Sequence, residues 1–101
     1  MGAEYFEQLE AGEDIGRAFH SARDAAFYEH GHGGYTGSLA EKDSYVVFDE
    51  PRRAEAAAYE RADELLRTDP RIDDKHGPAG VLPIRLDDGR NGWLFFGMAR
   101  C

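Results

Sequence analysis

Val81-Leu82-Pro83-Ile84-Arg85-Leu86-Asp87-Asp88-Gly89-Arg90-Asn91-Gly92-Trp93-Leu94-Phe95-Phe96-Gly97-Met98 reads as two strands joined by a tight turn, and it decides the fold class. Asp87 to Asn91 is hairpin-turn material, because Asp, Gly and Asn tolerate the left-handed backbone that such turns need. Pro83 has no N–H to give to a ladder, so the strand Val81–Leu86 is expected at an edge. The strand Gly92–Met98 is apolar at successive positions, as befits a central strand covered on both faces.

Upstream, Ser44-Tyr45-Val46-Val47-Phe48 is β-branched and aromatic and predicts another strand. Asp49-Glu50-Pro51 reads as a helix start with proline in the first turn. The helix would turn Ala54, Ala57, Ala58, Arg61, Ala62 and Leu65 inward and stop at Thr68-Asp69-Pro70. Ile72 to Gly80 reads as a polar loop. Nearer the N-terminus, Ile15, Ala18, Phe19, Ala22 and Ala26 recur at steps of three and four. They define a helix that starts at Gly12 or Asp14 and runs to about Glu29. Tyr5, Phe6 and Leu9 form an aromatic lead-in, and no periodicity assigns residues 1–11 a structure. The order helix, strand, helix, strand, strand predicts a single α+β domain over residues 1–101. Its sheet is expected to be three-stranded and mixed, order 1-3-2, with both helices on one face. The other face would then be too apolar to leave wet. The N-terminal segment or a second subunit must cover it, and a homodimer or larger assembly is the expected outcome.

Composition bounds the function. A chain of 101 residues with 42% hydrophobic and 12% aromatic content can fold, as one small domain with a modest core. Its net charge of −8 opposes binding to nucleic acid polymers or anionic membranes. Cys101 stands alone, so nothing calls for an oxidising compartment. The start Met-Gly-Ala-Glu-Tyr-Phe lacks the basic and apolar regions of a signal peptide, and no apolar run reaches membrane-spanning length. The expected location is cytoplasmic.

The loop after the first helix departs from the rest of the chain. His30-Gly31-His32-Gly33-Gly34-Tyr35-Thr36-Gly37-Ser38 packs four glycines into seven residues and interleaves them with imidazole, ring and hydroxyl groups. Glycines let a backbone approach a ligand closely, and successive N–H groups can form an anion-binding concavity. Tyr35 could stack on a base, while Thr36 and Ser38 extend the donor set. The same glycines would also serve a plain helix-to-strand connection. The loop is neither a P-loop, since no Lys follows its last Gly directly, nor a dinucleotide fingerprint, since a helix precedes it. His30 and His32, with His76, Glu29 or an Asp, fall short of a convincing metal set, because two histidines two apart need partners from elsewhere. No metal and no cofactor is therefore expected. Acid–base work by His30 or His32 beside Glu41 or Asp43 is a further reading. Arg52-Arg53 could neutralise a phosphate or simply be a solvated helix end. Trp93, Phe95 and Phe96 read as core.

The run Tyr28 to Lys42 resembles a motif in small uncharacterised proteins of bacteriophages and actinobacteria. There an aromatic helix end leads into Gly-Gly-Tyr-(Thr/Ser)-Gly-(Thr/Ser)-Ile-Ala-Glu-Lys. Leu39 stands here in place of the isoleucine. The resemblance covers about fifteen residues. It implies a small oligomeric protein, acting in the host cytoplasm, with a role against host immunity such as sequestering a nucleotide-derived signal. The expected function is thus capture of an anionic, nucleotide-like small molecule, with His30, His32, Gly33, Gly34, Tyr35, Thr36, Gly37, Ser38 and Arg52 in the site. The alternatives are a small enzyme on such a substrate, with His30 or His32 as acid or base, and an acidic protein-binding inhibitor.

Overall fold

A computed structural model describes residues 2–31 and 33–101. The chain runs β1 (Ala3–Ala11), α1 (Ile15–His30), a single 3-10 turn (Leu39–Glu41), β2 (Tyr45–Val47), β3 (Arg53–Ala54), α2 (Glu55–Thr68), β4 (Ala79–Arg85) and β5 (Asn91–Arg100). The class is α+β with a mixed sheet, as the sequence predicts, but the sheet has five strands in the order β1-β5-β4-β2, with β3 also on β4.

The lead-in is β1, paired antiparallel with β5 from Ala3↔Arg100 to Ala11↔Gly92. Its even residues face α1: Phe6 joins the core on that side, and Gln8 Nε2 donates to the Ala22 carbonyl at 2.6 Å. Its odd residues Tyr5 and Leu9 join the core under α2. β5 is central, as expected, and its hairpin with β4 is in place. Its second neighbour is β1 rather than the strand at Tyr45.

The 1-3-2 order fails because Pro83 is not at an edge. β2 pairs with residues 79–81 and β3 with residues 84–85. Pro83 lies in the gap between them, where no partner asks for its missing N–H. An internal strand accommodates it at no cost in ladder bonds.

The helices lie on opposite faces, not on one. Phe19, Ala22 and Ala26 of α1 pack with Phe6, Val81 and Phe95. Ala58, Ala62 and Leu65 of α2 pack with Leu82, Ile84, Leu94 and Phe96. Successive side chains of a strand point to opposite faces, so this division explains why β5 is apolar throughout. Both faces are covered within the chain, and the bare face that motivated a homodimer does not exist.

Asp14 caps α1 by accepting the Arg17 N–H at 3.0 Å, and the small residues of this helix let it sit close to the sheet. α2 begins four residues later than Pro51 suggests. Arg53–Ala54 are drawn into the sheet first, so the helix starts at Glu55 with Ala54 as a cap that offers no side-chain acceptor. Ala54 and Ala57 are consequently exposed rather than inward. The segment 72–80 is less polar than it reads: Ile72 is fully buried, and Ala79–Gly80 already belong to β4.

Candidate functional site

Where the sequence suggests an anion-binding concavity, the described part of the glycine loop directs its Thr36 donors at a carboxylate of the chain itself. Gly34 and Tyr35 both take positive φ, 74° and 56°. This reversal aims the Thr36 N–H at Glu41 Oε2, 3.2 Å away, and the Thr36 hydroxyl donates to the same oxygen at 2.9 Å. Arg100 Nη2 donates to Glu41 Oε1 at 3.1 Å, and its guanidinium lies 5.4 Å from the centre of the Tyr35 ring. The Thr36 and Ser38 hydroxyls are 2.7 Å apart, and Ser38 Oγ accepts the Ala40 N–H as the cap of the 3-10 turn. Burial would push the Glu41 carboxyl up, but the donors from Thr36 and Tyr35 and the Arg100 charge outweigh it and hold the group below its ordinary range. Lys42 continues the brace. Its buried Nζ donates to the carbonyls of Gly77 at 2.8 Å, Lys75 at 3.3 Å and Asp74 at 3.5 Å, tying the loop to the turn before β4.

The sequence-predicted site residues therefore separate. Thr36, Gly37 and Ser38 are folded inward, and a Cβ on Gly37 would collide with the Glu4 carboxylate. Gly33 and Gly34 are exposed, with open space where a side chain would go, and the Tyr35 ring is half exposed. His30 ends α1, its Nε2 3.8 Å from Glu29. It does not pair with Glu41, whose oxygens are taken, nor with Asp43, which faces Arg23 at 3.8 Å. His32 lies outside the described residues. Among the described residues, no three His, Cys, Asp or Glu side chains are grouped as a metal ion would need. The cavity beside the loop, about 530 Å³, is walled by Glu4, Glu7 and Glu29, a setting that repels an anion.

Arg52 is at the other end of the sheet. Its Nη1 donates to the carbonyls of Ile84 at 2.8 Å and Gly92 at 2.9 Å, and its guanidinium lies 4.9 Å from the centre of the Trp93 ring. Arg100 lies eight steps along β5 from Gly92, roughly 26 Å at strand rise, so Arg52 and the glycine loop cannot share a small ligand.

At that far end the positive charges converge. A cavity of about 420 Å³ is lined by Arg52, Arg53, Ala54, Arg85, Leu86, Asp87 and Gly89. A second, of about 510 Å³, lies across Arg85 and Gly89 and adds Arg90. Arg53 is engaged by Glu50 at 2.6 Å, Arg90 by Asp88 at 2.7 Å, and Glu50 also holds Arg61 at 2.8 Å. The Arg61 and Arg53 forks pull the Glu50 carboxyl down to about 2 against the effect of burial. Arg85, exposed between the two cavities, has no carboxylate within ion-pair distance among the described residues. The uncapped start of α2 borders the same cavity at Ala54. Sequence reading singled out Arg52 and missed Arg85. Only the β4 register, which ends that strand beside Arg53–Ala54, places Arg85 next to it.

No family model, no curated protein and no solved structure matches the chain.

Proposed function

We propose that the chain is a binding protein for a small anion bearing a phosphate or carboxylate, seated in the cavity between Arg52, Arg53 and Arg85. A nucleotide is the first candidate, and sequestration is the role that the resemblance to phage proteins suggests. The observation that carries the reading is the exposed Arg85 guanidinium, without an ion pair among the described residues, set beside two further arginines and one carboxylate, Asp87, in a chain of net charge −8. Guanidinium groups present paired donors that match an oxyanion, and the cavity falls in the size range of small-molecule sites. Arg52 and Arg53 are held by their contacts to the sheet and to Glu50, so little ordering is left for the ligand to drive. The glycine loop serves here as a brace, its donors satisfied by Glu41.

Titration calorimetry with adenosine monophosphate and with inorganic phosphate tests the reading. Both should bind, and Arg85→Ala should weaken each by about tenfold or more, the scale of one lost charged hydrogen-bonding partner. Binding that survives Arg85→Ala at full strength, or no binding of either probe to the parent protein, would overturn it.

A further inference from the structure

β1 is an edge strand, and its open side faces a groove rather than bulk solvent. The cavity of about 530 Å³ is lined by five consecutive β1 residues, Glu4 to Gln8. Consecutive residues point to opposite faces of a sheet, so a space touching all of them runs along the strand's edge. Ala25, Glu29 and His30 of α1 form its other wall, and residues Thr36 to Leu39 close one end. Among the described residues, no strand pairs with that edge. Gly12 N–H donates to Asn91 and Gly2 accepts from Cys101, which turns the even residues of the segment toward β5. The N–H and C=O groups of Ala3, Tyr5, Glu7, Leu9 and Ala11 therefore point outward, in the alternation of an antiparallel ladder.

The charge of the groove selects its occupant. Glu4, Glu7 and Glu29 line it, with no lysine or arginine among the lining residues. A second copy is a poor fit: antiparallel self-pairing centred on β1 sets Glu7 against Glu7 and Glu4 against Glu10, and like charges directly opposite destabilise a ladder. An extended segment with alternating lysine or arginine meets carboxylates instead, while its main chain satisfies the outward groups of β1. From the open edge, the groove and its acidic lining, we infer that β1 docks an extended basic segment of a partner protein as an added antiparallel or parallel strand. This surface is separate from the arginine cavity and independent of that reading.

The probe is a fluorescein-labelled peptide as long as β1, alternating lysine and threonine, followed by fluorescence anisotropy. Two controls are a glutamate–threonine peptide and the basic peptide N-methylated at every residue, so that neither edge offers N–H groups. The basic peptide should bind saturably, the acidic one should not, and N-methylation should weaken binding by about tenfold or more. E4Q and E29Q, both on the α1 side of the strand, should each weaken it by a few fold, with unchanged thermal transitions. Equal binding of the methylated peptide would reduce the contact to charge alone and overturn strand addition. Absence of binding by the basic peptide, or a dimer by sedimentation that E7Q strengthens and that excludes the peptide, would overturn it as well.

Discussion

Replacing Glu41 by glutamine removes the charge around which the glycine loop is folded. The carboxylate is only 5% exposed and takes the Thr36 N–H, the Thr36 hydroxyl and Arg100. Losing charge-assisted bonds in such a place costs about 2 kcal/mol, and urea unfolding of Glu41→Gln should show a loss of that size. Gly34 makes the complementary case. Its φ of 74° is a backbone state that a side chain disfavours by about 1–2 kcal/mol, while the space around it is open. Gly34→Val should therefore lower stability by that amount and leave adenosine monophosphate binding within about twofold of the parent, as read by calorimetry. A loop that held the ligand would instead lose binding outright. Ser38-Leu39-Ala40-Glu41 carries the spacing of a capping box, which was the one signal in the sequence that Glu41 turns back on the loop. The carboxylate goes past the Ser38 N–H to Thr36, a detail that depends on the reversal at Gly34 and Tyr35 and is invisible in a residue pattern.

Among the elements, the junction of β3 and α2 is held by Glu50, which grips Arg53 and Arg61 at once. Its carboxyl is drawn down to about 2, below the ordinary 4.5. The stabilisation is thus complete above the unfolded value and is lost as pH falls through the folded one. Thermal transitions of the parent and of Glu50→Gln should differ clearly at pH 7 and converge as pH drops from about 4.5 toward 2. A gap that persists to pH 2 would mean that the carboxylate charge is not what holds the junction. The helices and the β4–β5 hairpin were legible because each buries one stripe or alternates cleanly: α1 keeps Ala18, Phe19, Ala22 and Ala26 inward, as its spacing predicts. β1 was not legible. As an edge strand it carries Glu4 and Glu10 beside Phe6 on one face and Glu7 between Tyr5 and Leu9 on the other, so charge interrupts the period of two on both faces. The sheet order was misread through Pro83, whose missing N–H matters only where a neighbour needs it, and β2 and β3 leave that position unpaired. The late start of α2 has the same origin, since pairing of Arg53–Ala54 with β4 competes with the helical first turn that Pro51 favours.

At the scale of the whole molecule, the sheet divides charge by its two ends. Glu4, Glu7 and Glu29 line the cavity where β1 begins and α1 ends, whereas Arg52, Arg53, Arg85 and Arg90 line those where β4 turns into β5, together with Asp87 and Glu13. Two helices on opposite faces leave those ends and the sheet edges, at β1 and at β2 and β3, open to partners. The sequence reading placed an anion at the glycine loop, because glycines and hydroxyls resemble a phosphate cradle when their partners are unknown. The fold supplies those partners internally and brings Arg85 to Arg52 and Arg53, residues more than thirty positions apart along the chain. The proposed anion site is therefore set by location, and amide chemical shifts followed during titration with adenosine monophosphate test that location most directly. The amides of Arg53, Ala54, Glu55, Arg85 and Gly89 should move with saturation while those of Gly34 to Ser38 stay in place. Saturable shifts confined to Gly34 to Ser38, with the arginine end unmoved, would contradict it.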